Sequence, residues 1–327
     1  MDPILSVRNL QVTFSGLGNQ SIATSDISFD VFPGEVLALV GESGSGKSVT
    51  ALSLLSLLTR QAKATGTVRY RGQDLLSLSE KQLDAIRGKQ ISMIFQDIMN
   101  SLNPVLTIGK QLTEPMICHN GLSQAEARTR AVSLLEQTGI RDAQGIMKKY
   151  PHMLSGGMRQ RVMIAMALSC DPELLIADEP TTALDVTIQL QIMQLLSSHQ
   201  KARHMALLLI THDLGLVAEN ADRVLVLYAG QCVECGDVDT ILTHPLHPYT
   251  RSLLRAVPGI HDARDQRLYN IPGTVPESYG AMTGCRFHDR CPYKAHCRDY
   301  EKNAGLLPVT DTHLTRCAYL LGGDCDA

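Results

Sequence analysis

The stretch that decides the fold runs from Val36 to Ser48 and reads VLALV followed by GESGSGKS. The first five residues are apolar, which predicts a short strand buried on both faces. The next eight match the pattern G-x-x-x-x-G-K-[ST], in which glycines let successive backbone N–H groups converge on a phosphate at a helix start. A glycine-serine linker that contains a lysine is the alternative. The apolar run before the motif and the helical run VTALSLLSLL after it favour a phosphate loop.

The residue types of this loop suit the binding of a nucleotide. Lys47 is expected to reach the β and γ phosphates, and Ser48 to offer its hydroxyl to Mg²⁺. The sequence therefore predicts a nucleotide site built from Gly41, Glu42, Ser43, Gly44, Ser45, Gly46, Lys47, Ser48 and Val49.

Two further apolar runs end in polar residues. Residues 174–177 lead into Asp178 and Glu179, and residues 206–210 lead into Thr211 and His212. Adjacent carboxylates after a buried strand are costly without a cation or a catalytic task, so we expect Asp178 to hold Mg²⁺ and Glu179 to act on the attacking water. We expect His212 to contact the γ-phosphate, because open α/β sheets collect ligand-binding residues where strands end. The alternatives are a strand that ends in solvent and a structural histidine.

A helical insertion is predicted from about residue 97 to residue 155. Its run LSQAEARTRAVSLLEQTGI has apolar residues at helical spacing, and Ser123 with Glu126 matches a capping box. At its end Ser155, Gly156 and Gly157 precede another helical run. Ser155 could simply cap that helix. The same geometry exposes N–H groups to an anion, which suggests that two copies or homologues meet around the nucleotide.

Five motifs in this order resemble the ATP-binding subunit of an ABC transporter: GESGSGKS, FQD, LSGGMRQR, LLIADEPTTALD and ITHD. The resemblance covers residues 3 to about 255 and implies ATP and Mg²⁺ as ligands. It also implies roles for residues that the spacing alone does not explain. The resemblance implies that Gln96 contacts Mg²⁺ and relays the nucleotide state to a membrane subunit, and that Phe14 stacks on the adenine. Asp185 matches the D-loop and His212 the switch histidine. The residues implied to close over the partner's ATP are Ser155, Gly156, Gly157 and Gln160.

Three segments resemble the oligopeptide, dipeptide and nickel branch of importers: DIMNSLNPVLTIGKQL, PTTALDVTIQLQIM and THPLHPYTRSLLRAVP. One departure is Ile98, where that branch commonly carries proline or glutamate-proline. The resemblance implies a subunit that powers import of a small solute, most directly di- or oligopeptides, from the cytoplasmic face of the bacterial inner membrane. It implies two membrane-spanning permease subunits, a second ATPase subunit and an extracytoplasmic solute-binding protein as partners. Import of nickel or a metallophore, and a soluble ATPase outside transport, are the alternatives.

Composition restricts the other functions. The net charge of −3 argues against nucleic-acid binding driven by bulk positive charge. The N-terminus MDPILSVRNL lacks the basic start and apolar core of a signal peptide, and no apolar run approaches the roughly 18 residues of a membrane span. Membrane crossing is therefore expected of other chains.

Cys285, Cys291, Cys297 and Cys317 lie in a turn-rich C-terminal extension. The neighbouring Arg286, Arg290 and Arg316 would favour thiolates if they also lie close in space. Four cysteines suffice for a [4Fe–4S] cluster, which some members of the resembled branch hold in such an extension. A structural Zn²⁺ site and four thiols that only pack are the alternatives. Cys232 and Cys235 have metal-like spacing but are expected to follow a strand into a turn at Gly236.

The expected fold is α/β, a P-loop NTPase core of the ABC type. It should carry an N-terminal antiparallel β portion, an inserted helical subdomain at about 97–155 and a small C-terminal extension. The expected domains are an ATP-binding domain at 1–255 and an extension with the cysteines at 256–327.

Overall fold

The structure is a computed structural model and describes residues 2–16, 20–97, 101–182, 184–257, 269–276, 279–297 and 305–317. Ile98, the departure noted after Gln96, lies outside these ranges.

The strands include every apolar run that was predicted to be one. The runs at 36–40, 174–177 and 206–210 form β3, β7 and β8, and all residues of these strands are buried. The strands are β1 (Leu5–Ser15), β2 (Gln20–Val31), β3 (Val36–Val40), β4 (Ala62–Tyr70), β5 (Gln73–Asp74), β6 (Ile91–Ile94), β7 (Leu174–Asp178), β8 (Ala206–Ile210), β9 (Arg223–Tyr228), β10 (Gln231–Asp237), β11 (Leu307–Pro308) and β12 (Leu314–Thr315).

The α-helices include one that starts at each of the two glycine motifs. They are α1 (Lys47–Leu54), α2 (Glu80–Asp84), α3 (Ile108–Asn120), α4 (Gln124–Gln137), α5 (Ala143–Ile146), α6 (Gly156–Ala167), α7 (Val186–Arg203), α8 (Leu214–Asn220), α9 (Val238–Thr243) and α10 (Pro248–Arg255).

The chain divides into two compact units. The carboxylate unit comprises Met1–Ile4, Val31–Val36 and Ser77–Ile210, and the phosphate-loop unit comprises Leu5–Asp30, Leu37–Leu76 and Thr211–Ala327. Each unit thus gathers segments that are distant in sequence. The boundary at residue 255 between an ATP-binding domain and an extension stays a prediction.

In the carboxylate unit, β6, β7 and β8 form parallel ladders, with Ile91 opposite Leu174 and Leu174 opposite Ala206. Helices α3 and α4 of the predicted helical segment pack against each other and against α6, which follows that segment. The capping box is confirmed: the Glu126 backbone N–H donates to Ser123 Oγ, and Glu126 Oε2 accepts from the Ser123 backbone N–H. This start holds α4, whose buried face includes Leu135.

The phosphate-loop unit contains the antiparallel sheet expected near the N-terminus, in the order β2-β1-β4-β5. A second ladder joins β3 to β9 in parallel, with Leu37 opposite Arg223, and continues antiparallel through β10 and β12. The C-terminal extension is part of this ladder, because Leu314 and Thr315 on β12 pair with Cys235 and Glu234 on β10.

The expected turn at Gly236 is wrong. Cys232 and Cys235 both lie within β10 and are buried, and the chain reverses earlier, at Ala229 and Gly230. Both of these residues have positive φ (46° and 76°), the conformation that two-residue hairpins require. Gly236 therefore continues the strand that the hairpin begins.

Candidate functional site

The phosphate loop follows β3 and needs glycine at two positions for steric reasons. Gly41 has a φ of 150°, and a Cβ there would lie 2.2 Å from the carbonyl oxygen of Leu227. Gly46 has a φ of 95°, and its Cβ would lie 2.9 Å from Thr24 Cγ2. The loop backbone therefore runs where no side chain fits, and it enters α1 directly at Lys47.

Lys47 is almost fully buried and bends back over the loop. Its Nζ donates to the carbonyl oxygens of Gly41 (2.8 Å) and Glu42 (3.0 Å). Ser43 and Gly44 are exposed at the tip, whereas Ser48 and Val49 are partly exposed in the first turn of α1. An ammonium group, the first N–H groups of a helix and an accessible loop together form a site suited to an anion.

Glu42, within the loop, has partners that the sequence did not predict. Its backbone N–H donates to Tyr249 Oη at 2.8 Å, and its carboxylate accepts from both terminal nitrogens of Arg290, at 2.7 and 3.0 Å. Tyr249 belongs to the LHPYT segment, and Arg290 had been noted only as a neighbour of Cys291. Both contacts span more than 200 residues of sequence, so local patterns carry no signal for them.

His212 and Phe14 also belong to the phosphate-loop unit. His212 is exposed two residues after β8, and Asp213 caps α8 by accepting from the backbone N–H of Gly215 at 2.9 Å. Phe14 lies near the end of β1, partly exposed and paired with Ala62 of β4. Both side chains are accessible to a ligand.

In the carboxylate unit, Asp178 is the last residue of β7 and is buried. Glu179 follows with a φ of 50°, a conformation that non-glycine residues rarely adopt. Thr182 Oγ1 donates to Glu179 Oε2 at 2.9 Å. Such strain persists only where the surroundings enforce it, and it concentrates at functional sites. Seven other non-glycine residues of the described ranges also have positive φ, so the catalytic role of Glu179 stays a prediction.

Gln96 and Asp185 lie at the ends of other elements of the same unit. Gln96 is exposed two residues after β6. Asp185 is the N-cap of α7, and its carboxylate accepts from the backbone N–H of Ile188 at 3.1 Å. Both residues thus lie at or near the end of a strand or helix, and both are exposed to solvent.

The helix that starts within LSGGMRQR, which we call the signature motif, has the predicted serine cap. Ser155 Oγ accepts from the backbone N–H of Met158 at 3.4 Å, and Ser155 and Gly156 are exposed. Gln160, in contrast, is buried, and its amide nitrogen donates to the carbonyl oxygen of Pro180. Gln160 therefore ties α6 to the loop that carries the two carboxylates.

The C-terminal cysteines lie near one another but do not have the expected thiolate character. Burial raises the pKa of Cys285 and Cys291 to about 11, and neighbouring thiols of the extension add to the rise. Burial therefore outweighs any help from Arg286, Arg290 and Arg316, whose guanidinium groups donate to other acceptors of the unit. Within the described ranges, no group of three or more His, Cys, Asp or Glu side chains is placed to hold a metal ion.

The fold and motifs define the class of protein. Residues 24–182 match the family described as ABC transporter, and residues 233–297 match the family described as oligopeptide/dipeptide transporter, C-terminal region. The chain belongs to the ATP-binding proteins of ABC transporters, a family of ATPases that couple hydrolysis to transport. The predicted α/β P-loop fold of the ABC type is confirmed.

Two relatives place the chain more closely within this class. It is 49% identical to the oligopeptide transport ATP-binding protein AppD of Bacillus subtilis, over 97% of both chains. It is 47% identical to the dipeptide transport ATP-binding protein DppD of the same organism, over 97% of this chain and 95% of DppD. Among solved structures, dimeric MJ0796, a bacterial ABC transporter cassette, aligns with a TM-score of 0.66 at 29% identity, over 72% of this chain and 98% of that one. In the part of the chain that the structure describes, no helix has the length and apolar character to cross a membrane.

Proposed function

We propose that this chain is the ATP-hydrolysing subunit that powers import of di- or oligopeptides through separate membrane-spanning subunits. One observation carries the proposal: nearly the whole chain, including the C-terminal region, aligns at close to 50% identity with relatives named as oligopeptide and dipeptide transport ATP-binding proteins. Import of nickel or a metallophore, the alternative considered above, is not favoured, because these relatives are named for peptide transport.

In this proposal the phosphate-loop unit binds the ATP phosphates. Backbone N–H groups of the loop and Lys47 hold the β and γ phosphates, Phe14 stacks on the adenine, and His212 contacts the γ-phosphate. Support comes from the buried position of Lys47, the steric need for glycine in the loop, and the exposure of His212.

The carboxylate unit supplies the groups that act on water. Glu179 orients and polarises the water for in-line attack on the γ-phosphate. Gln96 and Asp178 of this unit, and Ser48 of the phosphate-loop unit, each offer an oxygen ligand of the type that Mg²⁺ prefers, and the buried carboxylate of Asp178 suits a cation. When bound, Mg²⁺ would neutralise charge that develops on the phosphates.

A second ATPase subunit completes each site. Ser155 caps α6 and Gly156 begins it, both are exposed, and Asp185 is exposed as the N-cap of α7, while Gly157 is partly exposed. We assign these residues, together with Gln160 of the signature motif, to the ATP held by the partner subunit. Gln160 acts from within, through its hydrogen bond to Pro180.

The remaining partners follow from the proposed transport role. Two permease subunits form the pathway, a solute-binding protein delivers the peptide outside the membrane, and this chain docks peripherally on the cytoplasmic face. Gln96 relays the nucleotide state to the permeases. The exposed position of Gln96 at the end of β6 supports this assignment.

The test is ATPase activity of the reconstituted complex with a panel of di- and oligopeptides, nickel and metal chelates. We expect peptides with the solute-binding protein to stimulate hydrolysis. The matched control is Glu179→Gln, which should lower hydrolysis by about 10²- to 10⁴-fold while MgATP still binds. Stimulation by nickel or a chelate alone would overturn the peptide assignment, and failure to associate with any membrane subunit would overturn transport.

We separately propose that Cys285, Cys291, Cys297 and Cys317 are the ligands of a [4Fe–4S] cluster. Their number supports the proposal, because four cysteines match the ligand count of such a cluster. Because the described residues include no preassembled metal group, loading would have to draw the thiols together. Anaerobic purification followed by iron, sulfide and zinc assays tests this: about four iron and four sulfide per chain, lost in Cys291→Ser, is expected. Zinc alone would replace the cluster with a structural metal, and absence of all three would leave the thiols a packing role.

A further inference from the structure

We propose that Arg290, in the cysteine-bearing extension, is a positioning residue that fixes the phosphate loop through Glu42 and thereby sets the affinity for ATP. The inference rests on the proposed role of this loop as the ATP site. It assigns the C-terminal extension a task in nucleotide binding that no motif in the chain indicates.

The contact is a two-pronged ion pair. Arg290 Nη1 donates to Glu42 Oε2 at 2.7 Å, and Nη2 donates to Glu42 Oε1 at 3.0 Å. Parallel hydrogen bonds of this kind fix orientation as well as distance, because the guanidinium and carboxylate planes must match. A lysine at position 290 could supply the charge but not the fork.

The guanidinium group is itself held on all sides. Nε donates to the carbonyl oxygen of Pro272 at 2.7 Å, Nη1 also donates to Tyr228 Oη at 3.3 Å, and Nη2 also donates to the carbonyl oxygen of Gly273 at 3.3 Å. With the two bonds to Glu42, the five N–H groups of Arg290 all have acceptors. The fork therefore reaches Glu42 from a fixed direction.

Burial strengthens this ion pair. The side chain of Arg290 is only 6% exposed and that of Glu42 is 28% exposed, so water screens the pair less than it screens a surface ion pair. Removing either partner would leave the other charge poorly solvated and would release the loop from its anchor. The pair thus links the order of the extension to the shape of the loop.

A second contact fixes the main chain of the same residue. The Glu42 N–H donates to Tyr249 Oη, so it points toward α10, and the phosphate must be bound by other N–H groups of the loop. Tyr249 is buried in an aromatic cluster with Tyr228 and Phe287, whose ring centroids lie 4.6 and 5.4 Å from its own. Phe287 belongs to the extension, as Arg290 does. Both residues that hold Glu42, Tyr249 and Arg290, therefore depend on the extension.

The extension also approaches the tip of the loop. Tyr279 Oη donates to the carbonyl oxygen of Ala23 at 2.9 Å and lies 3.5 Å from that of Gly44. Ala23 in turn lies behind Gly46, where a Cβ would come within 3.0 Å of its carbonyl oxygen. Arg290, Phe287 and Tyr279 together form a brace, which we call the extension brace, beside the phosphate loop.

Thermodynamic reciprocity makes the proposal testable in both directions. If the brace favours the loop conformation that binds ATP, bound ATP must stabilise the brace by the same factor. A contact that only helps the chain to fold would show no such coupling to nucleotide.

The first experiment measures the equilibrium affinity of the purified full chain for MgATP in Arg290→Ala, Glu42→Gln and the double variant. We expect each single change to weaken binding by about tenfold, and the double variant to be no weaker than either one, because both remove the same ion pair. Lys294→Ala is the matched control, since Lys294 is an exposed cation of the same extension that, among the described residues, donates only to the carbonyl oxygen of Asp289, at 3.5 Å. It should bind as the parent chain does. Arg290→Lys should fall between Arg290→Ala and the parent.

Three outcomes are informative. If Arg290→Ala binds MgATP within about twofold of the parent chain, or if the two single effects multiply in the double variant, the proposal is overturned. If the parent chain itself does not bind MgATP, the proposed ATP site fails instead, so the two failures are distinguishable. In the complex, the effect should appear in the KM for ATP with kcat nearly unchanged.

A second experiment needs no variant and so remains decisive if Arg290→Ala does not fold. Hydrogen exchange of the parent chain is followed with and without MgATP. Slower exchange of amides in residues 286–291 on nucleotide binding is expected, with no change in residues 124–137 of α4 as the internal control. Unchanged exchange in residues 286–291 would contradict the brace.

Discussion

Helices α1 and α6 both begin at a glycine motif, and the two helix starts are supported in opposite ways. Before α1, a Cβ at Gly41 or Gly46 would collide with neighbouring atoms, and Glu42 is held by residues from the C-terminal third of the chain. At the start of α6, a Cβ added at Gly156 would lie more than 4 Å from every described atom outside its chain neighbours and its own helix backbone, and the cap is the local serine Ser155.

This difference indicates that the loop before α1 is a binding site formed within the chain, whereas the start of α6 is a surface available to another molecule. Long-range contacts fix the loop before α1, so it is shaped before any ligand arrives, which lowers the cost of ordering it on binding. The start of α6 is open and only locally capped, as expected for groups that complete a site on a second subunit.

The largest expected effect comes from placing a methyl group at each helix start. Gly46→Ala should weaken MgATP binding to the isolated chain by about 10- to 100-fold, because the residue has positive φ and its Cβ would meet Thr24 and Ala23. Gly156→Ala should leave this affinity unchanged, because its Cβ would meet open space. Equilibrium binding of MgATP to the two purified variants provides the comparison.

The second half of this comparison requires the assembled complex. There Gly156→Ala should lower ATP hydrolysis, since close approach of a partner's ATP to the start of α6 would meet the added methyl group. Equal loss of nucleotide binding in the two isolated variants would mean that the helix starts do not differ in the way described.

The sequence predicted the parts of the fold and site that depend on neighbouring residues. The phosphate loop, the buried strands and the capping box at Ser123 are each written within about a dozen consecutive residues, where local sterics and hydrogen bonding decide the outcome. The roles assigned to Glu179 and His212 stay predictions, although the strained backbone of Glu179 agrees with a functional task.

Contacts between distant segments could not be predicted in this way. Arg290 and Glu42 are 248 residues apart in sequence. An arginine next to a cysteine predicts an effect on the thiol at least as readily as it predicts a contact with a distant loop. The turn before β10 was missed for another reason: Ala229 adopts positive φ without being glycine, asparagine or aspartate, so the glycine at 236 looked like the better turn residue.

A smaller effect should separate the functional serine cap from a purely structural one. Ser155→Ala and Ser123→Ala each remove a cap, so each should cost about 1 kcal/mol of stability, measured by urea unfolding of the purified variants. Only Ser155→Ala should also lower ATP hydrolysis in the assembled complex, because Ser123 caps a helix with no assigned role in ATP binding. If both variants keep full hydrolysis, the start of α6 has a structural role only.

The smallest expected effect concerns His247, which contacts Tyr249, the residue that anchors the phosphate loop at Glu42. Burial, with a contribution from Arg316, lowers the pKa of His247 to about 3, so His247 is neutral in the folded chain. Its Nδ1 accepts from the backbone N–H of Tyr249, the residue that anchors Glu42. The unfolded chain binds a proton below its ordinary pKa of about 6.5, so this group's contribution to stability is complete above that pH and is lost as the pH falls.

Lowering the pH from about 7.5 to about 6 should therefore reduce the free energy of unfolding by somewhat less than about 1 kcal/mol through this residue. His247→Asn keeps an acceptor for the Tyr249 N–H but does not titrate, so its pH dependence should be flatter by that amount. Urea unfolding of both proteins at the two pH values measures the difference. Parallel pH profiles would show that His247 is not buried in its neutral form. The position of Tyr249 against Glu42 would then need another explanation.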